Sequence, residues 1–454
     1  MAKFNREKVL RQLEFKRKWR SYSRYVYIAV PCVLCCLLCL YFAYSKFFVS
    51  EEQAVIRTTV DDFIHGDVVI GAYIDGEYSS TIPGKNDGYV VDKVSCDNGA
   101  VGKWNNDDWG LLTTNLSKRT KCNVYFKKVV SKVPDIIAQL DTSGKCPSVN
   151  ADGSVNVTGV EATNGHLCKA KDAYGDSYYY RGNVTNNYVK FADKYWRIVR
   201  INGDGTVRVI YDGTSAHANG ESSEDRQIGT SAFNSSYNDN AYVGYMYGKV
   251  GASTYADAHA NTNDSTIKAY IDNWYKTNIV GTINEQYLVD NVFCNDRSIS
   301  SNKPSSSYNN FGYGTNATAY RWYYGPWSSG GYNSSMRLIC PQKNDAFTVS
   351  DTTNGNGTLT YPVGLLSTDE IVLAGGWSAA NSGYYLYSGQ YWWASSPLGF
   401  DGGDAYVRCV TSDGDANGAN YVYGHSGVRP VFNLKAEVLA QGSGTASDPY
   451  RISS

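Results

Sequence analysis

The spacing of apolar and polar positions changes several times along the chain, and each change predicts a different element. After a basic opening segment, 1–24, the run Tyr25 to Tyr44 carries twenty residues without a charge. As a helix, twenty residues cover the roughly 30 Å hydrocarbon core of a bilayer. Residues 25–49 are therefore expected to form a transmembrane signal anchor, with Tyr25, Tyr27, Tyr41 and Tyr44 near its interfaces. A polar stalk, 50–66, follows. From residue 67 the period drops to two: Val68 to Ile74, the turn dipeptide Asp75-Gly76, Tyr89-Val90-Val91 and Cys122 to Phe126 predict a small all-β module. Its span, 67–129, suits a β-sandwich-like, Ig-like spacer. Residues 130–175, with Pro134, Pro147 and scattered Gly, Ser and Asn, read as a linker.

The large unit, 176–438, opens with Tyr188–Phe191 and a hairpin in which Asn202-Gly203-Asp204-Gly205 joins Tyr195–Ile201 to Thr206–Tyr211. Ile267, Tyr270, Ile271 and Trp274 recur at helical spacing, which predicts a helix over about 264–277. Capping boxes predict two more, from Thr282 with Glu285 and from Ser367 with Glu370, the latter ending at Gly375-Gly376. Further strands are expected at Tyr391–Pro397, Ala405–Val410, Asn420–Tyr423 and Gly427–Leu434, before a tail, 439–454. The fold class is α+β. Loops at 215–262, 300–335 and 376–390 are long for a compact domain, which points to functional surfaces.

Charge alters this picture at one end only. Residues 1–24 hold nine basic side chains against two acids, a local +7, in a chain whose net charge is −1. A basic leader before an apolar span keeps the N-terminus in the cytoplasm, so a single-pass membrane protein with its bulk extracellular is expected. The lipid bilayer is then one partner. The near-neutral total argues against nucleic acid. Cysteines agree with export. Cys32, Cys35, Cys36 and Cys39 lie in the apolar span, and Cys96, Cys122, Cys146, Cys168, Cys294, Cys340 and Cys409 lie beyond it. Sequential pairing gives 96–122, 146–168 and 294–340 and leaves Cys409 over, although spacing alone does not fix connectivity.

The most distinctive motifs stand near the C-terminus: Trp392-Trp393-Ala394-Ser395-Ser396-Pro397, Ser412-Asp413-Gly414 and Gly427-Val428-Arg429-Pro430-Val431. With Val292 to Arg297 and the Tyr195 hairpin, they resemble an uncharacterised family of bacterial extracellular domains over about 176–438. That family is similar in shape to the C-type lectin-like fold, also used by variable proteins of diversity-generating retroelements. The resemblance implies a scaffold whose first and last strands pair and whose irregular loops gather at one end, and it carries no established activity.

The end loop then holds the candidate ligand-binding residues: Trp393, Phe400, Asp401, Asp404, Tyr406, Arg408, Asp415, Asn417, Asn420, Tyr421, Tyr423 and His425. Tyr with Asn, Ser and Gly resembles a paratope, in which rigid amphipathic rings alternate with adaptable hydrogen-bonding groups, and such rings also stack on sugar faces. A glycan or protein ligand is expected. Asp413-x-Asp415-x-Asn417-Gly418 begins like a calcium loop, but Gly424 stands where the bidentate Glu is required, so a side-chain-stabilised turn is expected and no metal. Formylglycine-generating enzymes share a similar fold and use paired cysteines, whereas Cys409 has no neighbour in sequence. His65, His166, His217, His259 and His425 form no metal-ligand or catalytic spacing, and no G-x-S-x-G or phosphate-binding loop occurs. No cofactor is expected, and binding is favoured over catalysis.

Overall fold

The computed structural model describes residues 68–452, apart from 86, 106–108, 116–119, 161 and 326–334, together with Arg11 and residues 14–18. The expected anchor at 25–49 and stalk at 50–66 lie outside the described residues. Among those described, no helix is long and apolar enough to cross a membrane. The regular structure of the described residues is mostly β, with few and short helices. It divides into two compact units, Met1–Lys128 and Val129–Ser454.

In the first unit, strands β1 (Val68–Ile74), β2 (Glu77–Ser79), β3 (Tyr89–Cys96) and β6 (Thr120–Lys128) form a sheet in the order β2-β1-β6-β3. β4 (Val101–Asn105) and β5 (Gly110–Thr114) form a separate hairpin. Asp75 and Gly76 both take positive φ, as a two-residue hairpin turn requires. Alternation places Ile70, Ala72 and Ile74 of β1 and Val124 and Phe126 of β6 in one core, closed by Trp104, Trp109 and Leu111 of the β4–β5 hairpin. Cys96 lies opposite Cys122 in the β3–β6 register, and the two are bonded. β1 and β6 run parallel, so the six described strands differ from the two antiparallel sheets of an immunoglobulin-type sandwich.

The second unit starts earlier and ends later than the sequence pattern suggests. The segment read as a linker supplies a one-turn helix, Val133–Ile137, and a strand, β7 (His166–Asp172), and its end opens β8 (Gly175–Arg181). The Cys146–Cys168 disulfide ties this segment to β7. The segment read as a tail also belongs here: Tyr450 bridges Val189, and Lys190 N–H donates to the Tyr450 carbonyl. With β9 (Tyr188–Phe191), β10 (Lys194–Ile201) and β11 (Val207–Gly213), the first sheet runs β18-β11-β10-β8-β7, where β18 is Val431–Leu434. β9 adds to the first half of β10. β11 is buried along its whole length and β10 along nearly all of it, because both faces of this sheet are covered.

Burial on both faces leaves Arg200 and Arg208, which sit opposite each other, in need of counter-charge. Asp172 of β7 supplies it to Arg200 at 2.5 Å, and helix α2 (Thr368–Leu373), which follows α1 (Thr266–Asn278) in the chain, supplies it to both. Glu370 Oε1 lies 2.7 Å from Arg208 Nη1 and 3.3 Å from Arg200 Nε. The same carboxylate completes the capping box with Ser367. One residue therefore both starts the helix and docks it. The capping box expected from Thr282 does not form. The Thr282 hydroxyl donates back to the Ile279 carbonyl, and only a 3-10 turn, Ile283–Tyr287, follows.

The second sheet carries the candidate site. Its order is β12-β17-β14-β15-β16, made of β12 (Thr230–Ala232), β14 (Trp392–Phe400), β15 (Ala405–Val410), β16 (Ala419–Tyr421) and β17 (His425–Gly427). β13 (Thr318–Ala319) pairs with the end of β14. The β14–β15 register shifts on either side of Pro397, which has no N–H to give to the ladder. Cys294 and Cys340 are bonded, and Cys409 is a buried free thiol.

Candidate functional site

The turn between β14 and β15 is built by one carboxylate. Asp401 Oδ1 accepts the N–H groups of Gly403 and Asp404 at 2.9 and 2.8 Å, and Oδ2 accepts the Tyr406 hydroxyl at 2.9 Å. Partial burial works against ionisation of Asp401, but these donors outweigh it and hold its pKa below the usual range. Burial, together with hydrogen bonds to Tyr421 and Asp401, raises the Tyr406 pKa, so its hydroxyl keeps its proton.

Alternation on β15 sends Ala405 and Val407 inward and Tyr406 outward. Tyr421 faces Tyr406 in the β15–β16 register. Their ring centres are 4.7 Å apart, Tyr421 and Tyr423 are 5.2 Å apart, and Tyr423 and Tyr237 are 4.7 Å apart. Tyr237 reaches the row from the loop after β12, where its carbonyl accepts the Ala405 N–H at 2.9 Å. Tyr237, Tyr421 and Tyr423 are 44%, 40% and 42% exposed, unusually open for rings already packed on one another. Successive rings tilt by 38°, 31° and 56°.

The row leads into a cleft of about 240 Å³ lined by Tyr308, Tyr323, Leu398, Gly399, Phe400, Asp401 and Tyr406. Tyr308 and Tyr323 meet edge to face at 5.8 Å. Burial and the contact with Tyr323 raise the Tyr308 pKa, so this side of the cleft also keeps a protonated hydroxyl. Rings and fixed hydroxyls are what such a surface offers: it can stack and hydrogen-bond.

Several expected ligand contacts lie elsewhere. Trp393 is fully buried and donates its indole N–H to the Ser231 carbonyl, whereas Phe400 lines the cleft although it is closed to solvent. β14 is central in its sheet and covered on both faces, so alternation does not send either ring to solvent. Arg408 is buried too. Its guanidinium donates to the carbonyls of Trp322, Tyr323 and Asn417 and to Asn417 Oδ1. It positions the Tyr323 segment.

Asp415 and Asn417 belong to the loop beyond the far end of β15. The six residues of that strand separate them from the 401–404 turn by about 20 Å. Asp415 Oδ1 accepts the Asn417 N–H at 2.6 Å, and Asp413 Oδ1 accepts the Thr411 hydroxyl, so this loop stabilises itself. Asn420 Nδ2 donates to Ser426 Oγ at 3.4 Å beside the row. Exposed His425 pairs with Ala232 across β12 and β17. Asp401, Asp404, Tyr406, Asn420, Tyr421 and Tyr423 are thus brought to one surface. Tyr237, Tyr308 and Tyr323 join them from two of the long loops flagged by their length, which is the signal the sequence carries for them.

The fold and site define a largely β protein with an aromatic, polar surface on its second sheet. Residues 289–436, which include β13 to β18 and α2, match the model of a domain family of unknown function, DUF6273. No curated protein and no solved structure matches the chain.

Proposed function

We propose that this chain is a membrane-anchored cell-surface recognition protein that binds an extracellular ligand through the tyrosine surface and does not transform it. In this reading Val129–Ser454 is a C-type-lectin-like domain. Two features support that reading: the last strand, β18, returns to pair with the opening hairpin at β11, and loops from distant parts of the chain converge at one end of the second sheet. The small β module spaces the domain from the bilayer, and the apolar run at 25–44 anchors it. Three disulfides support export, since they persist in oxidising compartments.

The observation that carries the function is the solvent-facing run Tyr406–Tyr421–Tyr423–Tyr237. Rings of this kind give contact area at low cost in conformational entropy. Glycan and protein arrays probed with the full chain and with a Tyr406→Ala/Tyr421→Ala/Tyr423→Ala variant test it. Signals present for the wild type and lost in the variant support the assignment, and equal signals remove the site.

A further inference from the structure

Resting on that recognition reading, we infer that the cleft beside the tyrosine row is a site for a quaternary ammonium group of the choline type. Four of the seven residues that line it are aromatic, Tyr308, Tyr323, Phe400 and Tyr406, and one is an acid, Asp401. Aromatic rings offer a cation the negative face of their quadrupole, and walls of this kind recognise methylated ammonium ions. Tyr308 and Tyr323 meet at 69°, so the two rings make a corner and no flat stacking face. Gly399 permits this approach, because a Cβ there would come within 3.3 Å of the Tyr323 ring. At about 240 Å³ the cleft is smaller than the roughly 300–1,000 Å³ of sites that enclose a drug-sized ligand, and it suits a head group.

Charge sets the sign of the ligand. Asp401 stays ionised through its three donors, and Asp404 belongs to the same turn. Among the described residues, no cationic side chain lines the cleft. The basic groups of the surrounding elements are placed otherwise. Arg408 is buried and committed to carbonyls, and Arg321 is paired with Asp296 and Asp369. Lys303 is exposed in the loop before Tyr308, and His425 lies on β17, with β14 between it and β15. An anion therefore meets an uncompensated carboxylate, whereas a cation meets its counter-charge. Hydrogen bonding then narrows the cation. The Tyr406 hydroxyl is committed to Asp401, and the Tyr308 hydroxyl meets Tyr323. A carboxylate has about four acceptor sites, and Asp401 already uses three. A primary ammonium brings three N–H groups that need acceptors once out of water, and a quaternary one brings none.

Calorimetric titration of the full chain in a maltoside detergent tests this with choline, tetramethylammonium, ethanolamine and dimethylbutanol, the neutral carbon isostere of choline. Choline and tetramethylammonium should bind, and the other two should bind at least about tenfold more weakly. Tyr308→Ala and Asp401→Asn should each weaken choline binding on the order of tenfold. Tyr270→Ala, an exposed ring on α1, should leave it intact. Dimethylbutanol binding as tightly as choline overturns the charge assignment, and ethanolamine doing so overturns the quaternary one. These comparisons on the unaltered chain hold even where Asp401→Asn disturbs the turn. Choline binding that survives both cleft variants overturns the site. Phosphocholine-agarose and phosphatidylcholine vesicles separate the sources: retention on either, competed by free choline, supports the inference and tells a polymer-borne head group from a lipid one. No binding of any ammonium ion, with a tyrosine-dependent signal on the arrays, overturns the inference and leaves the recognition reading standing.

Discussion

The guanidinium of Arg408 ties the segment that carries Tyr323 to the strand that carries Tyr406, by donating to the carbonyls of Trp322 and Tyr323 from within β15. Burial lowers its pKa to about 10, still far above neutrality, so the cation persists. Arg408→Met removes the charge and leaves those carbonyls without donors. It should cost about 3 kcal/mol in urea unfolding and should loosen the 240 Å³ cleft. His259 is a second buried group with a readable consequence. Burial, and Arg297 nearby, lower its pKa to about 2, and its Nε2 lies 3.0 Å from the Gly312 carbonyl. The unfolded chain takes up a proton on this ring below about pH 6.5, while the folded chain does not. The stabilising effect is therefore complete above that pH and is lost as pH falls, by up to about 1.4 kcal/mol per pH unit. Stability measured between pH 6.5 and 4.5 should fall less steeply in His259→Gln, which keeps a donor for Gly312. Parallel profiles would show that the ring is already charged in the folded state.

At the scale of elements, the Cys294–Cys340 disulfide closes a loop of 46 residues that includes Tyr308 and Tyr323. Chain-entropy arguments give a closure of this length about 4 kcal/mol. Cys294→Ser/Cys340→Ser should therefore lower stability by roughly that amount and weaken any ligand that depends on Tyr308, while Cys409 stays unlabelled by maleimide until unfolding. Burial pushes the Cys409 thiol up to about 12, far from the reactive thiolate. Elements with local signals were legible before the structure: the Tyr195 hairpin around its Asn-Gly-Asp-Gly turn, α1 with its apolar stripe, and α2 with its capping box. β7 and most of β8 were not. Their ladder ends on β10, more than twenty residues away, and the Pro, Gly and Asn before them look like a linker until that partner is placed. The site divides in the same way. Tyr406, Tyr421 and Tyr423 could be read from alternation on adjacent strands, whereas Tyr237 is placed by tertiary contacts, the Ala405 N–H on its carbonyl and the Tyr423 ring. Trp393 was misplaced because alternation describes a strand with one wet face, and β14 has none.

For the molecule as a whole, the described cysteines and the apolar run at 25–44 bear on the same part of the proposal, an anchored chain whose two units lie outside the cell. Six of the seven cysteines beyond the apolar run are paired, in one bridge within the first unit and two within the second. A reducing cytosol would hold these pairs open and remove several kcal/mol of chain constraint. In the proposed anchoring, a basic leader with nine cations resists transfer across the bilayer, and the resulting orientation also suits the paired cysteines. In cells producing the full chain, the protein should stay with membranes after an alkaline carbonate wash. Maleimide-polymer labelling in denaturant should leave the six paired positions unmodified until a reductant is added. Proteinase applied to spheroplasts should remove both units and spare a short basic fragment. Labelling of Cys96, Cys146 or Cys294 without reductant, or protection of the units from outside, would place them in the cytosol. The tyrosine surface would then face an interior with no extracellular partner to meet, so this measurement should precede any search for the ligand.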